Sequence, residues 1–82
     1  MGRRWKVWYS VGTAGCAICG SKDKGDLASP GLGSFGNLWC APCLVVGGKY
    51  DPSPSDLRVY ERLGYLDDSR EAFRRLGLRV AY

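Results

Sequence analysis

Apolar and polar positions alternate near the start of the chain. Trp5, Val7, Tyr9 and Val11 interleave with Lys6, Trp8 and Ser10, the two-residue period of a strand. That alternation puts Trp8 on the face opposite Trp5, Val7 and Tyr9, alongside Arg4 and Lys6, and so outside the core. Gly12 to Gly15 turns the chain. Residues 20–37 carry Gly20, Gly25, Pro30, Gly31, Gly33 and Gly36, which leaves room for a short hairpin or loop and no more. Asn37, Leu38 and Trp39 predict a short strand. Pro42 suits the first turn of a helix, and Gly47-Gly48 stops that helix early.

After a linker with two prolines, Tyr50 to Pro54, the pattern becomes helical. Ser55 is the expected N-cap, with Asp56 in the first turn and Leu57, Tyr60 and Leu63 on one face. Gly64 ends this helix. Asp67, Asp68 or Ser69 starts another, with Ala72, Phe73 and Leu76 inward, Glu71 and Arg75 as an ion pair, and Gly77 at the stop. Leu78, Val80 and Tyr82 alternate like a terminal strand that would pair with the N-terminal one. The fold class is a small α+β domain with short strands and two C-terminal helices. One domain covers 1–82, with a metal-binding module over 12–50 and a helical extension over 55–77.

Size sharpens this picture. A chain of 82 residues buries too little surface for its core to be more than marginal, so a covalent or metal staple is expected. Hydrophobic residues are 45% and charged residues 24%, a globular composition. No apolar run reaches the ~20 residues of a membrane span, and no leader-like stretch is visible. The chain has no histidine. That removes imidazole acid–base chemistry, histidine-dependent triads and any zinc site with a His ligand.

The staple is written as Cys16-x-x-Cys19, twenty residues, then Cys40-x-x-Cys43. Each pair places two thiolates on one side of a metal, and two pairs complete a tetrahedron, the closed geometry of a structural zinc site. Gly20 permits the tight reversal after the first pair. The alternatives are two disulfides, a redox Cys-x-x-Cys, and iron. Nothing suggests the oxidising compartment that disulfides need. Residues 20–25 read as a turn rather than the helix of a redox motif. Iron accepts four sulfurs too, but the rubredoxin-like pattern has glycine after both pairs, and Leu44 follows Cys43. The expected cofactor is one structural Zn2+ per chain, in a reducing, cytoplasmic setting.

The formal net charge is +4. Arg3, Arg4 and Lys6 hold most of it, residues 16–65 balance, and 66–82 contribute one net positive charge. Four thiolates with one divalent metal subtract two, leaving a weak field. Arg3, Arg4, Lys6 and Trp8 mix cations with an aromatic, and Arg70 and Arg74 share a face of the last helix. These six are the candidate contacts to a partner or nucleic acid.

The order of knuckle, turn-rich stretch and second knuckle opening a short helix resembles a treble-clef zinc finger. Cys16-Ala17-Ile18-Cys19-Gly20 and Leu38-Trp39-Cys40-Ala41-Pro42-Cys43, then Gly47-Gly48, Tyr50-Asp51 and Leu57, Tyr60 and Leu66, resemble the zinc module of the phage recombination endonuclease VII family. The resemblance covers roughly residues 15–66. GATA-type fingers and the zinc-binding domain of the ClpX unfoldase share the knuckle spacing. The endonuclease family places an Asp-His cluster for a catalytic metal between its knuckles, whereas Leu27 to Leu32 stand here, with Asp26 the nearby carboxylate. The resemblance therefore implies the scaffold without the nuclease chemistry, and a phage origin in a host cytoplasm. The expected function is a non-catalytic zinc-binding module that docks on a larger protein or nucleoprotein assembly. The alternative is a DNA- or RNA-binding zinc finger. No enzyme, membrane or small-molecule role is expected.

Overall fold

The structure is a computed structural model that describes residues 8–9, 15–22, 24–31 and 38–82. Three two-residue strands, β1 (Trp8–Tyr9), β2 (Leu27–Ala28) and β3 (Trp39–Cys40), form one antiparallel sheet in the order β1-β2-β3. Trp8 pairs with Ala28 and Tyr9 with Leu27; Leu27 pairs in turn with Cys40 and Ala28 with Trp39. The strand expected over Asn37, Leu38 and Trp39 overlaps β3 only at Trp39: Asn37 lies outside the described residues, Leu38 precedes the strand, and β3 runs on to deliver Cys40 to the N-cap of α1 (Ala41–Val46). Pro42 sits in the first turn of α1, where its missing N–H costs nothing. All six residues of α1 are buried. A helix this short is held by packing rather than by propensity.

Two helices follow, α2 (Pro54–Arg62) and α3 (Tyr65–Arg75), as the periodicity predicts, but their starts differ. The N-cap of α2 is Ser53, not Ser55: its hydroxyl accepts from the Asp56 amide at 3.3 Å. Pro54 explains the shift, because its fixed φ and absent N–H suit the first helical position. Helix α3 begins at Tyr65, directly after Gly64, rather than at Asp67 to Ser69. Asp67 and Asp68 then fall in its first turn, where the helix dipole favours them. Leu66 is consequently an α3 residue, and it is buried.

Leu63 and Leu76 correct the expected inward faces. Each is 54% exposed, because each is the C-cap of its helix and lies past the packed stripe. Ala72 and Phe73 are buried as expected. The ion pair on α3 joins Arg70 to Asp67 at 3.0 Å; among the described residues no such pair joins Glu71 to Arg75.

The segment after Gly77 forms no strand. Instead the amides of Ala81 and Tyr82 both donate to the Val46 carbonyl, at 2.8 and 3.1 Å. Carbonyls in the last turn of a helix lack helical partners, and the returning chain supplies them to α1. β1 pairs with β2. The rest of the expected N-terminal strand lies outside the described residues. The core joins Cys16, Leu27, Cys40, Cys43, Val45 and Val46 to Leu66 and Phe73 of α3. The Trp39 and Phe73 rings meet edge to face, 5.6 Å apart at 87°.

Candidate metal centre

The first knuckle is a tight turn closed by its own backbone. The Gly20 amide donates to the Cys16 carbonyl at 2.8 Å, and the Cys16 amide to the Ser21 carbonyl at 3.1 Å. Gly20 has φ +74°, the left-handed conformation that glycine adopts without steric cost. The second knuckle is the junction of β3 and α1, which places Cys40 at the cap and Cys43 in the first turn. Two contacts bind the knuckles together. The Ala17 amide donates to the Leu38 carbonyl at 2.9 Å, and the buried Cys40 amide donates to Cys16 Sγ at 3.2 Å.

The four sulfurs converge as the spacing predicts: those of Cys16, Cys19, Cys40 and Cys43 all lie within 4.8 Å of one another. Cys19 Sγ and Cys40 Sγ are 3.7 Å apart. Metal–sulfur bonds of ~2.3 Å in a tetrahedron give edges of about 3.8 Å, so the pocket has the dimensions of a zinc-finger-like site. Cys16, Cys40 and Cys43 are buried, and Cys19 is half-buried. The donor set is entirely sulfur, and the cluster could hold a metal ion.

The thiols do not share their protons evenly. Cys16 is drawn far below the ordinary thiol range by hydrogen bonds, first from Cys19 and then from Cys40 and Cys43. Cys19 is pushed up by Cys16, but bonds from Cys40 and Cys43 outweigh this and bring it down to about 6. Cys40 and Cys43 are raised, chiefly because each donates to Cys16, with burial adding to the effect. Neighbouring thiolates repel, so without a cation only part of the cluster ionises.

Three further groups address the sulfurs. The Ile18 amide donates to Cys16 Sγ at 3.4 Å. The Ser69 hydroxyl lies 3.2 Å from Cys43 Sγ. The Lys24 ammonium lies 3.8 Å from Cys19 Sγ. Sequence reasoning missed the two side chains. Ser69 left one trace: with Leu66 and Phe73 it lies on a single helical stripe, a polar residue on an apolar face. Lys24 left none, since its position depends on how a loop folds back.

The candidate contact residues are less uniform. Arg3, Arg4 and Lys6 lie outside the described residues. Trp8 is placed by its backbone in β1, and its side chain lies outside what is described. Arg74 is exposed. Arg70 is engaged internally: it pairs with Asp67, donates from Nε to the Tyr82 carbonyl at 2.9 Å and lies over the Tyr82 ring. Among the described residues no helix is long and apolar enough to cross a membrane. No known protein family, curated protein or solved structure matches this chain in comparison.

Proposed function

We propose that this chain is a non-catalytic, treble-clef-like zinc module that docks on a larger protein or nucleoprotein assembly. The observation that carries the reading is the four-sulfur cluster, in which the sulfurs of Cys16, Cys19, Cys40 and Cys43 all lie within 4.8 Å of one another and would fill a tetrahedral site. Such a site leaves no open position for water or substrate, so the metal serves the fold. The treble-clef reading is supported by the order of elements: a knuckle in a turn, an antiparallel β2–β3 pair, and a second knuckle opening a helix. Zinc is preferred to iron because Leu44 stands where the rubredoxin-like pattern has glycine.

The exposed residues of 54–82 favour a protein partner over a purely basic nucleic-acid face. Arg58, Arg62, Arg74, Arg75 and Arg79 are interleaved with Asp56, Glu61, Asp67, Asp68 and Glu71, all exposed. Phosphate binding would need cations concentrated on one face. Arginines among acids and apolar groups suit a mixed protein surface better.

Two measurements test the proposal together. Elemental analysis of purified protein is expected to find one zinc per chain; iron, or disulfides without metal, overturns the zinc reading. Titration with duplex and single-stranded nucleic acid is expected to show weak binding. Tight binding whose affinity falls steeply with salt would establish the nucleic-acid alternative instead.

A further inference from the structure

Lys24 carries its charge on a side chain almost withdrawn from solvent. Its side chain is only 7% exposed. Lysine is almost never fully buried unless its charge is paired, because stripping water from an ammonium is costly. Its carboxylate neighbour is Asp68, 3.8 Å away, but Asp68 is 67% exposed. A pair with one partner in water contributes little. The Tyr65 ring lies 5.1 Å below the nitrogen and adds a cation–π contact. Neither partner accounts for a lysine held this far from solvent.

Among the described residues the remaining charged or polar neighbour is Cys19 Sγ, 3.8 Å from Nζ. Four thiolates around a divalent ion carry a net charge of two negatives in a largely buried site. Among the described residues Lys24 is the cation that reaches one of those sulfurs. It reaches Cys19, which is half-buried while the other three are buried. Cys19 is thus the sulfur most open to water, a proton or a competing chelator.

Resting on the metal-centre reading above, we infer that Lys24 is a positioning residue of the metal centre, whose charge holds the Cys19 thiolate on the metal and slows its exchange. Asp68 and Tyr65, both on α3, hold the ammonium in place. With the contact between Ser69 and Cys43, this makes α3 part of the metal centre.

Cobalt(II) is the probe, because four-sulfur coordination gives it intense sulfur-to-metal charge-transfer bands. The unmodified protein comes first: absence of those bands overturns the metal-centre reading itself. With the bands present, Lys24→Met keeps length and apolar bulk but removes the charge. Cobalt transfer to a chelator is expected to quicken about tenfold or more, the usual scale for losing an outer partner of a ligand. The charge-transfer band is expected to move to lower energy, because electrons on an uncompensated thiolate are easier to promote. Lys24→Arg is expected to restore both. A Lys24→Met protein with unchanged transfer rate and band position overturns the Lys24 inference alone. If Lys24→Met does not fold around cobalt, Lys24→Gln is measured against the same two criteria.

Discussion

The hydroxyl of Ser69 lies 3.2 Å from Cys43 Sγ, and both residues are fully buried. A thiolate that serves as a ligand has no proton to give, so the hydroxyl donates. Hydrogen bonds to charged acceptors contribute about 1.5–3 kcal/mol, more than neutral ones. Ser69→Ala is therefore expected to destabilise the metal-loaded protein by about 1.5 kcal/mol or more. Urea unfolding with metal present measures it. An unchanged midpoint would show that the contact is incidental.

Metal uptake is expected to release protons in a pH-dependent number. Near pH 7.5 Cys16 and Cys19 are already ionised, because both are lowered, whereas Cys40 and Cys43 are raised and still carry protons. Loading should then release about two protons per metal. Below pH 6 Cys19 is protonated as well, and the number should approach about three. Affinity must fall as pH falls, and more steeply below 6. Calorimetry in buffers of different ionisation enthalpy counts the protons directly. A release independent of pH would contradict the uneven sharing of protons within the cluster.

Chelation should unfold more than the knuckles. Structural zinc contributes about 10–16 kcal/mol in finger peptides, and β3, α1 and the core around Phe73 are built on Cys40 and Cys43. Excess chelator is expected to abolish most helical circular dichroism, and returning zinc to restore it. A chelated sample with native ellipticity would show that the apolar core is sufficient.

Gly47 is expected to tolerate no side chain. A Cβ there would sit 2.9 Å from the Trp39 ring and 3.1 Å from the Phe73 ring, so both rings must shift and their edge-to-face contact must give. Gly47→Ala should cost about 1–3 kcal/mol, the usual penalty of overpacking. Gly31, where an added Cβ would meet nothing within 4 Å among the described residues, is the control: Gly31→Ala should leave the melting temperature almost unchanged or slightly raised. Equal effects at the two positions would refute the steric argument.

The parts legible in sequence were those set by short-range rules. The Cys-x-x-Cys spacing fixes two ligands locally, and Gly20, Gly64 and Gly77 mark turns through backbone conformation that a side chain disfavours. Pro54 outranked Ser55 at the start of α2 because a fixed φ outweighs a spare hydroxyl. Leu63 and Leu76 misled because periodicity does not show where a helix stops burying its stripe. The last residues alternated like a strand, yet their amides went to a helix carbonyl. Ser69 showed only as a polar residue on an apolar stripe, because its partner Cys43 is distant in the chain. Lys24 lies five residues from Cys19 and meets it only through the way the loop between them folds back.

The Val46 carbonyl, which takes both the Ala81 and Tyr82 amides, gives the molecule a mechanical path. Tension applied at residue 82 enters α1 through that carbonyl. It also reaches α3 through Arg70, whose Nε holds the Tyr82 carbonyl. Within α1 the load arrives at Cys43, and from there at the sulfur cluster. The two tail amides share that load with the covalent chain, which runs back through Gly77 into α3, so a molecule pulled at residue 82 should first lose its hold on α1 and then bear on α3.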